Sequence, residues 1–146
     1  MFRNILVALD LSPTSQRALA TAAELAEAVN ARLTLIAVSP DVPGYAYRSG
    51  INVAALEREA ESETKKLLGD AVDSLPEGLP VTTVLKHGNP GERIVEQIAA
   101  GDHDLLAMGS RGRGRVTTNL FGSVGAYVHY HARIAMLVIH PDDEPE

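Results

Sequence analysis

The sequence predicts an α/β fold, a single doubly wound domain in which a parallel sheet of five strands carries four helices. Three observations predict it. Short continuous apolar runs alternate with longer stretches of helical period, the pattern of strand–helix–strand units. The runs end in turn and cap residues, among them Asp10-Leu-Ser-Pro13, Gly88-Asn-Pro90 and Gly109. The chain has 146 residues, 45% hydrophobic and 22% charged, which suits one domain with a sizeable core and leaves no room for a second.

Ile5-Leu-Val-Ala-Leu9 is apolar at every position, as a parallel strand covered on both faces must be, and it stops at Asp10. Ser12 before Pro13 reads as a helix N-cap with proline in the first turn. Leu19, Ala22, Ala23, Ala26 and Val29 then form one apolar stripe on a helix that runs to about Asn30. Arg32 to Val38 is the second strand. Residues 39–50 break the periodicity for longest, and a mobile lid and plain disorder fit that segment equally.

From Val53 to Leu75, apolar residues including Leu56, Ala60, Leu67, Leu68, Ala71 and Val72 recur at mostly helical spacing among many charges, giving a long amphipathic helix that Pro76-Glu-Gly78 ends. Val81 to Leu85 is the third strand. Asn89-Pro90 opens a helix carrying Ile94, Val95, Ile98 and Ala99, and Gly101 closes it. Leu105 to Met108 is the fourth strand and Ile134 to Ile139 the fifth, with every crossover right-handed. The domain is expected to cover residues 1–141, with 142–146 as a frayed acidic tail.

The fourth strand stops at Gly109, where a loop with glycines at 109, 112 and 114 begins; it ends at Gly122-Ser123, and Val124, Tyr127, Val128 and His131 follow at helical spacing. A strand, a glycine-rich loop and a helix N-terminus in that order face backbone N–H groups toward an anion, and phosphate is the obvious candidate. Glycine can take positive φ in the turn and lacks the Cβ that would hold a phosphate away. Ser123 adds a hydroxyl donor. The bland reading of the same residues is a surface loop with turn glycines and an ordinary cap.

Other nucleotide signatures fail. A Walker loop needs Lys-Ser/Thr after its last glycine, and Gly114 is followed by Arg115-Val116. The dinucleotide fingerprint belongs after a first strand, with a different glycine spacing. His87-Gly88 has no second histidine of a nucleotidyltransferase motif, and Lys86-His87 stands where a phosphoreceiver domain needs an aspartate. His129 and His131 lie about 200° apart round a helix and cannot grip one metal from one face. With no cysteines, thiolate metal sites and thiol nucleophiles are absent. A net charge of -6 disfavours a nucleic-acid partner, the basic charge being concentrated at Arg111, Arg113 and Arg115. No stretch approaches a membrane span and the first residues lack a signal peptide's pattern, so the expected location is the cytoplasm.

Gly109-x2-Gly112-x9-Gly122-Ser123 resembles the ATP-binding motif of the universal stress protein family. The resemblance extends over nearly the whole chain, through Arg3-Asn-Ile-Leu-Val-Ala-Leu-Asp-Leu-Ser12, Met108-Gly-Ser-Arg-Gly112, Phe121-Gly-Ser-Val124 and the closing His131-Ala with Leu137-Val-Ile-His-Pro141. It implies a Rossmann-like sheet of order 3-2-1-4-5, in which Asp10 and the Gly109 loop meet. It implies that Gly109, Gly112, Gly122 and Ser123 hold the phosphates of ATP (or AMP or ADP). It also implies that Asp10 contacts the ribose or helps hold Mg²⁺ or Mn²⁺, that Val38 pairs with adenine through its backbone, that Ala8 and Met108 line the base and ribose pocket, and that Arg111 and Val124 add loop contacts. Each has a plain rival: an Asx turn for Asp10, core packing for Val38, a solvated loop face for the arginines. Gly125 departs from the pattern, standing where many ATP-binding members carry Ser or Thr.

The resemblance further implies a homodimer, or a higher oligomer, through the last strand, Ala135 to Ile139, and a regulatory role in stress responses or on a membrane transporter. The expected function is an ATP-binding regulatory protein whose nucleotide state alters a partner or its own assembly. A slow ATPase and a nucleotide-independent dimeric interaction module are the alternatives.

Overall fold

Ile5, Leu6 and Val7 are all completely buried because β1 (Asn4–Leu9) occupies the centre of the sheet, with helices over both of its faces. The structure is a computed structural model and describes residues 1–110 and 122–141. Arg111, Gly112 and the tail 142–146 lie outside the described residues. After β1 come α1 (Pro13–Val29), β2 (Arg32–Ser39), α2 (Val53–Asp73), β3 (Val81–His87), α3 (Pro90–Ala100), β4 (Leu105–Gly109), α4 (Gly122–His131) and β5 (Ala135–Ile139). The five strands are parallel, in the order β3-β2-β1-β4-β5, and Ile5 stands opposite Leu33 on one side and Leu105 on the other.

The chain walks outward from β1 to β3, jumps back to β4 and walks outward again to β5. Right-handed crossovers therefore put the first two helices on one face and the last two on the other. The side chains divide accordingly: Ile5, Val7 and Leu9 join Leu19, Ala22 and Leu68 in one core, while Leu6 joins Ile94, Leu106 and Val128 in a second. Alternation along one continuous apolar run is what a strand covered on both sides requires.

The helix ends follow local chemistry. Ser12 and Asn89 are extended, and their side chains accept from the N–H groups of Ser15 and Glu92, with proline in the first turn of each helix. Asn30 closes α1 in the left-handed region at φ 57°. Segment 39–50 contains a 3₁₀ turn, Gly44–Tyr47, whose Ala46 is buried while Tyr45 and Tyr47 face solvent. In α2 the buried stripe differs from the apolar pattern. Val72 is exposed, and Thr64 takes an inner place by donating its hydroxyl to the carbonyl of Ala60 at 2.8 Å.

At the other end of the sheet, Asp104 accepts from the backbone N–H groups of Arg3 and Asn4 at 2.8 and 3.1 Å. His103 sits between Gln97 Nε2, 3.0 Å away, and Asn4 Oδ1, 3.2 Å away. This network ties the entry to β4 to the start of β1.

Candidate functional site

The connections leaving β1 and β4 depart toward opposite faces of the sheet, so their carboxyl ends part and leave a crevice, the place where open α/β sheets bind ligands. A cavity of about 430 Å³ opens there. It is lined by Ala8, Asp10, Val38, Met108, Gly109, Gly122, Ser123 and Val124, so every site residue that the sequence singled out and the structure describes borders one space. Residues as distant along the chain as Ala8 and Val124 meet because parallel neighbours deliver their ends to one edge.

Asp10 is held in place by its own loop. Its backbone N–H donates to Ser15 Oγ at 2.9 Å, and its Oδ1 accepts from the Ser12 N–H at 2.7 Å and from the Ser12 hydroxyl. That is an Asx turn feeding a helix cap, so the structural role is present. Oδ2 takes no hydrogen bond among the described residues, and Asp10 is among the residues that line the cavity. Val38 likewise does two things: it packs against the core on the α3 side and lines the cavity.

Gly109 does more than leave room for a phosphate, because its space is already claimed from another side. A Cβ built on it would lie 2.3 Å from Thr14 Oγ1, 2.8 Å from Thr14 Cβ and 2.9 Å from the Thr14 backbone carbon. The end of β4 thus approaches the first turn of α1 as closely as a glycine allows. Gly122, by contrast, has φ 69°, a left-handed conformation natural to glycine, and begins α4 beside the cavity. The first N–H groups of a helix have no partner within it, and the residues that open α4, Gly122, Ser123 and Val124, border the cavity.

Several lining residues were not picked from the sequence. Leu11 and Ser15 follow Asp10, and the rule that places ligands beyond the carboxyl end of β1 could have found them. Ala60, Glu63, Thr64 and Leu67 form a wall from α2, and Ile94 closes the floor from α3. In the sequence, Ala60, Leu67 and Ile94 look like any core-facing stripe. The result is an apolar chamber of Ala8, Ile36, Val38, Ile94 and Met108 with polar groups gathered on Asp10, Glu63 and Ser123. Such a chamber suits a flat apolar ring joined to a polar tail.

The family model described as the universal stress protein family matches residues 1–140. The chain belongs to the universal stress protein family. Among curated members of the family, it is 34% identical over 136 residues to universal stress protein Rv2005c of Mycobacterium tuberculosis, covering 92% of this chain and 44% of that protein. The chain therefore spans less than half the length of that relative. It is 30% identical over 139 residues to a universal stress protein of Thermus aquaticus, covering 95% of this chain and 99% of the other.

Solved universal stress protein structures share the fold. UspA from Lactobacillus plantarum superposes with a TM-score of 0.78 at 23% identity, over 94% of this chain and 97% of that one. A universal stress protein in complex with cAMP gives 0.61 at 23%, over 95% and 97% of the two chains. An Arabidopsis thaliana family member with AMP bound gives 0.63 at 15%, over 96% and 92%. The five-strand order and the four flanking helices are the family's doubly wound fold.

Proposed function

We propose that this universal stress protein binds ATP and that its nucleotide state modulates a partner, such as a membrane transporter, or its own assembly. The observation that carries the reading is the convergence of eight residues, each singled out from the sequence, on one cavity at the β1/β4 switch point. Two structural neighbours are complexes, one with cAMP and one with AMP, ligands that share an adenosine and a phosphate with ATP. In the proposed pose, adenine and ribose occupy the apolar chamber, with the Val38 backbone beside the base. The phosphates meet the first amides of α4, the Ser123 hydroxyl and the Gly109 end of β4. Arg111 and Gly112 complete the phosphate grip.

Mg²⁺ or Mn²⁺ fits the donor set. Mg²⁺ keeps most of its waters and takes phosphate oxygens plus one or two carboxylates, and Asp10 offers Oδ2 while Oδ1 stays with Ser12. The ion would neutralise phosphate charge. For assembly, β5 is an edge strand of the sheet. Its outer backbone groups are proposed to pair with a second copy, forming the homodimer through Ala135–Ile139. The cytoplasm is the proposed location; among the described residues no helix is long and apolar enough to cross a membrane.

The test is direct. Protein purified without added nucleotide is denatured and its supernatant chromatographed for adenine nucleotides. Emptied protein is then titrated calorimetrically with ATP, AMP and GTP, with and without Mg²⁺. Saturable ATP heat, weakened about tenfold or more by Asp10→Asn in the presence of Mg²⁺, is expected, since interactions with a charged partner contribute about 1.5–3 kcal/mol. Silence with all three nucleotides reduces the protein to a nucleotide-independent interaction module. ATP heat followed by phosphate release at enzyme rates would make it an ATPase instead.

A further inference from the structure

α1 and α2 lie on the same face of the sheet, and each packs chiefly on the strands beneath it rather than on its neighbour. Between them runs a groove of about 770 Å³ that adjoins the proposed nucleotide site and extends beyond it. Along α1 it reaches from Ser15 to Glu27, about 18 Å at 1.5 Å per residue, or three turns of helix. Its floor is apolar, formed by Leu9, Leu19, Ala23, Leu67, Ala71 and Leu75. Ala20 on the α1 wall is small and exposed, which leaves the groove open.

The rim is acidic. Glu24 and Glu27 stand three residues apart on α1, a spacing at which like charges repel, and neither has a cation partner among the described residues. On the α2 rim, Lys66 is occupied by Asp70 at 2.8 Å. The walls are mostly helices whose backbone groups are satisfied internally, and the floor is made of the apolar side chains of α1, α2 and Leu9, so the groove offers a visiting backbone no ladder of main-chain partners, only scattered side chains such as Gln16 and Ser74. An extended peptide would lose its hydration there without the regular main-chain pairing that offsets the loss. A helix, with its own backbone satisfied, would not.

We infer that the α1/α2 groove docks an amphipathic helix of a partner protein, its apolar stripe on the Leu19–Leu67 floor and its Lys or Arg flank against Glu24 and Glu27. This is helix-in-groove recognition with charge complementarity selecting the partner and its direction. The groove also touches the nucleotide cavity: Leu9, Asp10, Leu11, Ser15, Glu63 and Leu67 line both. Leu11, 43% exposed at the junction, is covered when the helix docks. Docking stands on the groove alone. Only its coupling to nucleotide rests on the proposed ATP binding, and that coupling is reciprocal by linkage.

The probe is a fluorescein-labelled peptide of about fourteen residues, four turns of helix, with leucines on one stripe and lysines on one flank, followed by anisotropy. Saturable binding is expected with nucleotide-free protein. Glu24→Lys with Glu27→Lys should weaken it at least about tenfold, and Ala20→Trp, which fills the groove from an exposed position, should abolish it. Glu92→Lys with Glu96→Lys makes the same change in net charge on α3, across the sheet, and should alter binding by less than about twofold.

No saturable binding overturns the inference. So does equal affinity for a peptide with glutamates in place of the lysines, equal loss in both double reversals, or undiminished binding by Ala20→Trp. ATP should shift the peptide affinity, and the peptide the ATP affinity, by one factor. ATP heat without peptide binding defeats the docking alone; peptide binding without ATP heat defeats the nucleotide reading alone.

Discussion

Gly109→Ala is expected to destabilise the protein even when no nucleotide is present. The added methyl would lie 2.3 Å from Thr14 Oγ1, 2.8 Å from Thr14 Cβ and 2.9 Å from the Thr14 backbone carbon, where carbon contacts are comfortable at about 3.5–4.0 Å. A rotamer change at Thr14 moves Oγ1 away. It does not move Cβ or the backbone, so the first turn of α1 and the end of β4 must separate. Overpacking of this kind costs about 1–3 kcal/mol, and at about 2–4 °C per kcal/mol for a chain of this size the melting temperature should fall by about 2–12 °C.

Scanning calorimetry on nucleotide-free protein measures the fall. A double-mutant cycle with Thr14→Gly isolates its cause. Removing Oγ1 and Cβ relieves two of the three contacts, so the double variant should be more stable than the sum of the single losses predicts by about 0.5–2 kcal/mol. The remaining approach to the Thr14 backbone keeps the recovery incomplete. A Gly109→Ala melting temperature within about 1 °C of the parent, or strict additivity in the cycle, would refute the claim that packing against α1 requires this glycine.

Two further outcomes follow from the same geometry. Gly91→Ala places a methyl 2.8 Å from Tyr127 Cδ1 and 3.1 Å from Cγ, which forces the ring off its 4.0 Å stack on His131; a net loss of about 1 kcal/mol by urea unfolding is expected despite the gain of about 1 kcal/mol in helix propensity, and a more stable variant would contradict it. The His103 pKa is lowered from the usual histidine value by burial first and by Arg32 second, against the opposing pull of Asp104 and Asp102, and a protonated Nε2 would also face the amide donor of Gln97. Because the folded pKa lies below the unfolded one of about 6.5, this contribution to stability is present above that pH and is lost as pH falls through the lowered folded value. Urea midpoints from pH 7.5 to 5.5 should fall more steeply in the parent than in His103→Gln, and parallel slopes would rule the linkage out.

Much of the candidate site could be read from the residues because its components are punctuation. Asp10, Gly109 and Gly122 mark the places where strands stop or a helix starts, and such residues carry backbone requirements that survive in a linear string. The α2 wall could not be read in the same way. Thr64 looks like a polar interruption of an apolar stripe until its hydroxyl is seen bonded to the Ala60 carbonyl, which removes the cost of burying it. Val72 misled in the opposite direction, since helical phase alone does not say how wide a face the sheet will cover.

The sequence by itself determined the succession of strands and helices, their caps and the glycine-bounded loop, because hydrophobic period and turn chemistry act between residues a few positions apart. The parallel strand order was available there only through family likeness, since no local pattern states which edge a new strand will join. Tertiary structure alone decided that Gly109 yields its space to Thr14, that Gly91 yields to Tyr127, and that α1 and α2 stand apart over a common floor. Those outcomes depend on distances between segments far apart in the chain, and side-chain volume acquires its meaning only once the neighbour across the gap is known.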